Sequence, residues 1–444
     1  MKNKEIQMRT VASMGLILSV LALFLAFYTS GVTAQASTVS SASSSLNLNV
    51  KSAIAIDATT GQVLYEKNDK KALPIASMTK LLAIYIVLQE IHEGKLSWNQ
   101  KVHVNKATAK LSENSELTNV PLTTSETYTV KELYQASLIY SANAAVVALG
   151  NEISGSPHAF MTKMRQTAKK LGLNSAKLIT ASGITNGQAG SMGYSSLPSK
   201  DENTMSASDV AKLAQDLLKK YPQILKTTST ATATFDKGGA SETTMTSWDL
   251  MLKGLSQYTS SLPVDGLKTG SSTAAGANFT GTVKKNGHRI ITVVMHASYK
   301  SSTDPSRFVQ TKKLMHWVYA TYKPVTLKKG AQFAQSDTVS VPYGKQKTTT
   351  VAVGKNTTVW LTKNQSTARL KGKAALKSSV KEKNGLKAPL KAGTQVGTLN
   401  LKTDGQTFSF LNGGTTLNVP IKINHSLQRA NWFVRTWRDI VGIF

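Results

Sequence analysis

Apolar residues along this chain follow two rhythms, and the switches between them mark its elements. Ala53-Ile54-Ala55-Ile56 and Gln62-Val63-Leu64-Tyr65 are short apolar runs separated by Asp57-Ala58-Thr59-Thr60-Gly61. Runs of that length around an Asp/Thr/Gly turn predict a β-hairpin. A second hairpin is clearer: Ala277 to Val283 and Arg289 to Met295 alternate around Asn286-Gly287, a favoured two-residue turn. Between the hairpins the apolar positions recur at helical spacing. Pro74 precedes a helix expected from Ser77 to Glu90. Further helices are expected over Val130 to Tyr140, Asn143 to Ile153, Ala159 to Leu171, Ala207 to Lys220 and Ser306 to Tyr322. Thr185 to Asn203, rich in Gly, Ser and Asn, reads as a loop. Helices on either side of hairpin-paired strands predict an α+β fold, an antiparallel sheet covered by helices.

After Lys323 the helical spacing stops. Val/Thr-rich runs at Thr338 to Val341, Thr348 to Val353, Thr357 to Leu361, Gln395 to Leu401 and Thr415 to Ile421 alternate with Gly, Asn and Lys, which predicts a small all-β domain. The last segment changes again. On a helical wheel over Ser426 to Phe444, Leu427, Ala430, Phe433, Val434, Trp437, Ile440, Val441 and Phe444 share one face, with Gln428, Asn431, Arg435, Thr436, Arg438 and Asp439 opposite. Trp432 and Ile443 fall on the polar side. Such a stripe packs on the protein's own core or on a membrane surface; its terminal position beside a basic domain favours the membrane.

At the other end Lys2, Lys4 and Arg9 precede the apolar run Val11 to Tyr28, and Ala34-Gln35-Ala36 is a small-x-small cleavage site. This reads as an export signal rather than a retained anchor. The expected organisation is an export signal over 1–36, a Ser-rich spacer over 37–46, an α+β domain over 47–322, a basic all-β domain over 323–424 and an amphipathic helix over 425–444.

Composition narrows the function. The 444 residues carry 53 Lys+Arg against 24 Asp+Glu, a formal +29, which attracts polyanions such as anionic lipid or acidic wall polymers. Export removes nucleic acid, the usual partner of such charge. Residues 323–424 hold 17 Lys+Arg and three acidic residues. There is no cysteine, so disulfides, thiolate catalysis and Cys-ligated zinc are excluded. The seven histidines stand in no ligand spacing, and neither a phosphate-loop, an HExxH nor a GxSxG motif occurs. No metal or organic cofactor is expected.

Ser77-Met78-Thr79-Lys80 is the stretch with chemistry in it. Residues three apart on a helix share a face, and a helix start leaves backbone N–H groups unpaired. A neutral lysine there can take the serine proton. Neutrality at pH 7 needs a pKa about three units below the ordinary 10.4, or about 4–5 kcal/mol, which burial and a second cation can supply. Alone the pattern is weak: Ser378-Ser379-Val380-Lys381 also fits. Ser-x-Asn fits at Ser45, Ser97, Ser112 and Ser141, whereas Lys268-Thr269-Gly270 occurs once. Order and context single out Ser77, Ser141-Ala142-Asn143 and Lys268: a helix start after a hairpin, a break between helices, and the strand entering the Asn-Gly hairpin.

That set, with Ile54 to Glu66, Leu73-Pro74-Ile75-Ala76-Ser77-Met78-Thr79-Lys80 and Val264-Asp265-Gly266-Leu267-Lys268-Thr269-Gly270, resembles the serine-type D-alanyl-D-alanine carboxypeptidases, the low-molecular-mass penicillin-binding proteins. The likeness spans about Asn47 to Tyr322, and the β domain and tail match that family's layout. Ser-Ala-Asn replaces the commoner Ser-Gly-Asn, and Thr180-Ala181-Ser182-Gly183-Ile184 only loosely matches the family's Asn-x-x-Gly-Leu stretch.

The resemblance implies a penicillin-binding protein/β-lactamase-like transpeptidase fold and acyl transfer through Ser77. It implies Lys80 as proton acceptor and Ser141 as proton relay to the leaving D-alanine. Asn143 would hold the substrate amide and Lys80, Lys268 and Thr269 the terminal carboxylate, and backbone N–H groups of Ser77 and Ser271 the oxyanion, with Gly270 between them in the substrate-binding strand. The implied partners are a peptidoglycan stem pentapeptide, β-lactams as covalent inhibitors, and the outer leaflet of the cytoplasmic membrane, reached through the C-terminal helix. The implied location is the extracytoplasmic face, and the absence of cysteine fits a Gram-positive host. The alternatives are a β-lactamase, transpeptidase or D,D-endopeptidase on the same fold, and a non-catalytic envelope-binding protein.

Overall fold

A computed structural model describes residues 46–333 and 337–441. The expected export signal and all but the last residue of the spacer lie outside the described residues.

The two expected hairpins form one sheet. Strands β1 (Ser52–Asp57), β2 (Val63–Lys67), β3 (Val264–Ser272), β4 (Gly276–Lys285) and β5 (His288–Ala297) lie in the order β2-β1-β5-β4-β3, antiparallel throughout. The first and last strands of this sheet pair at its centre, where Ile54 lies opposite Val293 and Ile56 opposite Ile291. Asn286 and Gly287 both take positive φ, 52° and 80°, as the mirror-image turn of a twisted hairpin requires.

Strand alternation feeds two cores. Ile54 and Ile56 face helices α1 (Lys80–His92), α2 (Asn143–Ser154), α3 (Pro157–Lys170) and α4 (Ala207–Lys220). Ala53 and Ala55 face α5 (Ser306–Thr321), meeting Phe279, Leu314, Met315 and Val318. Helix α1 is apolar nearly all round and is buried between its neighbours, as such a helix must be.

Between α5 and the last helix the chain is built of β-strands. Strands β6 (Tyr322–Leu327), β7 (Thr338–Ser340), β8 (Thr348–Val353), β9 (Thr357–Thr362), β10 (Leu370–Leu376), β11 (Gln395–Thr403) and β12 (Leu417–Ile423) form a β6–β9 pair and a five-stranded sheet ordered β7-β8-β12-β11-β10. Their apolar sides enclose a third core of Val, Leu, Ile and Phe.

The first hairpin turn is keyed into this β block. Asp57 Oδ1 accepts from the backbone N–H groups of Thr59 and Thr60, and its Oδ2 accepts from Trp360 Nε1 at 2.8 Å. Gln62 and the Trp360 backbone exchange two hydrogen bonds of 2.8 and 2.9 Å, and Val63 N donates to Ser409 O. Trp360 is fully buried and belongs to the core under α5.

The last helix, α6, spans Trp432–Val441 and starts six residues later than the wheel suggests. Leu427 and Ala430, placed on the wheel's apolar stripe, are instead extended and buried against the β block, where Leu427 pairs with Leu390. Asn431 Oδ1 then accepts from Val434 N and caps the helix start. The polar side of α6 faces the protein: Arg438 donates to Pro342 O and Gly344 O, and Tyr343 and Lys383 both bond Asp439. Trp432, Phe433, Trp437, Ile440 and Val441 point to solvent. Residues 442–444 lie outside the described residues. No helix among the described residues is long and apolar enough to cross a membrane.

Candidate active site

Four stretches far apart in sequence build one cleft. A tight helical turn, Ala76–Thr79, leads into α1. Ala76 takes a left-handed φ of 44°, which costs a residue bearing a Cβ about 1–2 kcal/mol. Ser77 follows it, and Lys80 Nζ lies 2.9 Å from Ser77 Oγ.

The second stretch is the break before α2. Val130–Gln135 is helical behind a Thr129/Glu132 capping box and widens into a π-turn over Ala136–Tyr140. The run stops at Ser141, whose φ is 65°. Asn143 opens α2; its Oδ1 accepts from Lys80 Nζ at 2.8 Å, and its Nδ2 donates to Thr118 O at 3.0 Å. Those partners fix which end of the amide faces the lysine.

The third stretch is β3, an edge strand laid against the Ser77 turn. A Cβ on Gly270 would sit 2.5 Å from Ile75 O and 3.2 Å from Ser77 N, so only glycine admits the approach. The fourth is the segment before the long loop. Ser182 O accepts from Lys80 Nζ at 2.9 Å, and Gly183, at φ 84°, passes so close to Ala76 O that a Cβ would overlap it. The fully buried Asn203 ties the loop's end to both walls: its Oδ1 accepts from Ile179 N and Thr180 N, and its Nδ2 donates to Thr79 Oγ1.

The resulting cavity has a volume of about 550 Å³, and Ser77, Ser141, Asn143, Thr269, Gly270 and Ser271 line it. Lys80 and Lys268 lie behind the wall, 0 % and 2 % exposed. Burial, then the Lys268 charge, pushes the Lys80 amine well below the usual lysine range. Lys268 is pushed down to about 7 by burial and by Arg307, against the opposing pull of Asp249. Asp249 is itself buried and pushed up to about 7, chiefly by desolvation.

The other sequence matches stay apart from the cleft. Ser378–Val380 is a short turn of the β block with Lys381 exposed, neither Ser97 nor Ser112 lines the cavity, and Ser45 lies outside the described residues. Sequence reasoning missed Arg307. Its guanidinium lines the cavity, donates to Gly270 O and Asn278 O, and keeps a buried Nε without a partner. Nothing in the sequence around Ser306-Arg307 marks it. Glu202 also lines the cavity, and both its oxygens lie within 2.9 Å of Ser272 Oγ, which also accepts from Ala275 N. Burial raises its pKa.

Residues 36–299 match the family model described as D-alanyl-D-alanine carboxypeptidase, and residues 321–422 match the C-terminal domain of penicillin-binding protein 5. The D-alanyl-D-alanine carboxypeptidase DacF of Bacillus subtilis is 30 % identical over 366 residues, covering 82 % of this chain and 85 % of the relative. The crystal structure of a peptidoglycan synthesis regulatory factor from Streptococcus pneumoniae superposes with a TM-score of 0.72 at 30 % identity, over 86 % of this chain and all of the other. Penicillin-binding protein D2 of Listeria monocytogenes, solved with ampicillin bound, aligns at 30 % identity and a TM-score of 0.50, over 62 % of this chain and 99 % of the other.

Proposed function

The chain belongs to the D-alanyl-D-alanine carboxypeptidase family of serine hydrolases, and from that membership we propose that Ser77 is the nucleophile by which it removes the terminal D-alanine of peptidoglycan stem pentapeptides. One observation carries the assignment. Lys80 Nζ has three partners, of which the carbonyl oxygens of Asn143 and Ser182 can only accept. A neutral amine has two N–H bonds, and those two carbonyls use them. Its lone pair is left for the third partner, the Ser77 hydroxyl, which then donates. The depressed Lys80 pKa supports the neutral form.

Ser77 Oγ attacks the carbonyl carbon of the penultimate D-alanine, and its proton passes to Lys80. The oxyanion rests on the backbone N–H groups of Ser77 and Ser271, both on the cavity wall. Ser141 relays the proton to the nitrogen of the terminal D-alanine as the C–N bond breaks. Water then attacks the ester, returns the proton to Ser77 and frees the tetrapeptide stem. Asn143 has one amide N–H left for the substrate backbone. Thr269 and Arg307 receive the terminal carboxylate, with the Lys268 charge behind them. β-Lactams present a similar carboxylate and carbonyl, and acylate Ser77.

Glu202 speaks against the β-lactamase alternative. Both oxygens of its carboxylate are taken up by the Ser272 hydroxyl, which leaves neither aimed at a deacylating water. At the membrane, the outward apolar side of α6 supports docking to the outer leaflet, since its polar side is already bonded to the β block. The domain divisions at 322/323 and 424/425 and the extracytoplasmic location belong to the same reading.

The test is free D-alanine released from a pentapeptide. Wild type yields one D-alanine per stem, and Ser77→Ala abolishes both release and labelling by fluorescent penicillin. Labelling that persists in Ser77→Ala overturns the assignment. Rapid nitrocefin turnover, a new cross-link, or cleavage of a cross-linked dimer reassigns the activity.

A further inference from the structure

The β block has one sheet face that no core covers. Along β10, β11 and β12 the inward positions Leu370, Leu399, Leu401, Val419 and Ile421 fill the third core. The alternate positions point outward. They include Lys371 and Lys373 on β10, Asn400 and Lys402 on β11, and Asn418 and Lys422 on β12. Lys371 stands directly across from Lys402, Lys373 across from Asn400, and Asn400 across from Asn418.

Like charges directly opposed on a sheet destabilise it. Here Lys371 is eased by an ion pair with Asp404, at 2.8 Å and largely exposed. Lys373, Lys402 and Lys422 have no ion pair among the described residues. Successive outward residues on a strand lie about 6.6 Å apart, so Lys371 and Lys402 form one level, Lys373 stands a step along beside Asn400 and Asn418, and Lys422 lies two steps beyond Asn418 on β12, past Pro420.

We propose that this face, centred on Lys371, Lys373, Lys402 and Lys422, is a docking surface for a linear phosphodiester polyanion of polyol- or sugar-phosphate chemistry. The face offers cations at three levels to the phosphates of one chain lying along it, and the Asn side chains beside Lys373 bond the hydroxyl-bearing links. A lipid surface fits less well. Membrane-binding faces combine cations with large apolar anchors. The exposed large apolar side chains among the described residues are Tyr258, Tyr299 and those of α6, and none lies on this face. Helix α6 docks through residues 342–344, just past β7, at the opposite edge of the sheet from β10. Chain-wide charge does not explain the arrangement either, because a merely soluble surface gains nothing from opposing two lysines.

The test is calorimetric titration of the whole protein with synthetic glycerol-phosphate oligomers at low and physiological salt. A variant carrying Lys371→Gln, Lys373→Gln, Lys402→Gln and Lys422→Gln is compared with a control carrying Lys169→Gln, Lys170→Gln, Lys219→Gln and Lys237→Gln, which loses the same charge elsewhere. Expected is salt-sensitive binding by wild type, a loss of at least about tenfold in the sheet variant, and a loss of about threefold or less in the control. Penicillin labelling stays unchanged in both, and neither variant melts below wild type. Should the fourfold sheet variant fold poorly, Lys373→Gln alone is read, with about a threefold loss expected. Equal losses in both variants, or no binding by wild type, overturn the proposal. So does binding to anionic phospholipid vesicles that the sheet substitutions remove while oligomer binding is unaffected.

Discussion

Lys268 shows what the cleft costs the fold. Its folded pKa near 7 lies below the ordinary 10.5, so the folded chain holds its proton more weakly than the unfolded chain. Between pH 7 and 10.5 the unfolded state binds more protons, and stability rises with pH across that window. Below pH 7 both states are protonated and the burial cost applies in full, about 4–5 kcal/mol as an upper figure. Lys268→Met is therefore expected to raise Tm at pH 6 and to raise it less at pH 9. A gain of about 1 kcal/mol alone lifts Tm by roughly 2–4 °C in a domain of this size. The same variant loses at least about tenfold in kcat/KM on the pentapeptide, because the carboxylate loses its cation. Melting curves at the two pH values, with steady-state assays beside them, check this; a lower Tm at pH 6 contradicts it. Arg307 belongs to the same scale. Sequence gives no handle on it, because its role comes from where α5 begins relative to β3, and no local pattern records that.

Elements were legible wherever local chemistry decides them. Asn286-Gly287 has one good use, and the hairpin around it runs a residue or two further at each end than alternation alone suggests. Helix α4 covers Ala207–Lys220 as its spacing predicts, behind a Ser206 cap. Helix α6 differs for a physical reason. A wheel treats Leu427 and Ala430 like Trp437, but the first two gain burial in extended form on the β block, and Asn431 then starts the helix. The apolar stripe that remains is shorter, wholly outward, and bordered by the half-exposed Arg435 and Arg438. Removal of residues 432–444 is expected to abolish co-sedimentation with anionic vesicles and leave D-alanine release from a soluble pentapeptide within about twofold. Vesicle binding that survives the truncation would contradict the membrane role of α6.

At the scale of the whole molecule, the β block is fixed to the catalytic half rather than tethered. Asp57, Gln62 and Trp360 meet across about 300 residues of sequence. No short-range signal announces such a contact, which is why sequence gave two domains but not the joint between them. Trp360→Ala empties a filled site and leaves the Asp57 carboxylate short of a partner. It is expected to cost about 3–5 kcal/mol and to split one denaturant transition into two, read by near-UV and far-UV circular dichroism together. A single transition at the wild-type midpoint contradicts a rigid joint. The cleft depends on long-range assembly of the same kind, because Ser77, Asn143, Ser182 and Lys268 come together only when four stretches fold as one. The most direct measurement of that assembly is the rate of Ser77 acylation by a fluorescent penicillin from pH 5 to 10. A buried, neutral Lys80 beside a Lys268 that titrates near 7 predicts a rate that falls in acid, peaks around neutrality and declines above it. A rate that climbs steadily to pH 10, as an ordinary solvated lysine would give, contradicts the account.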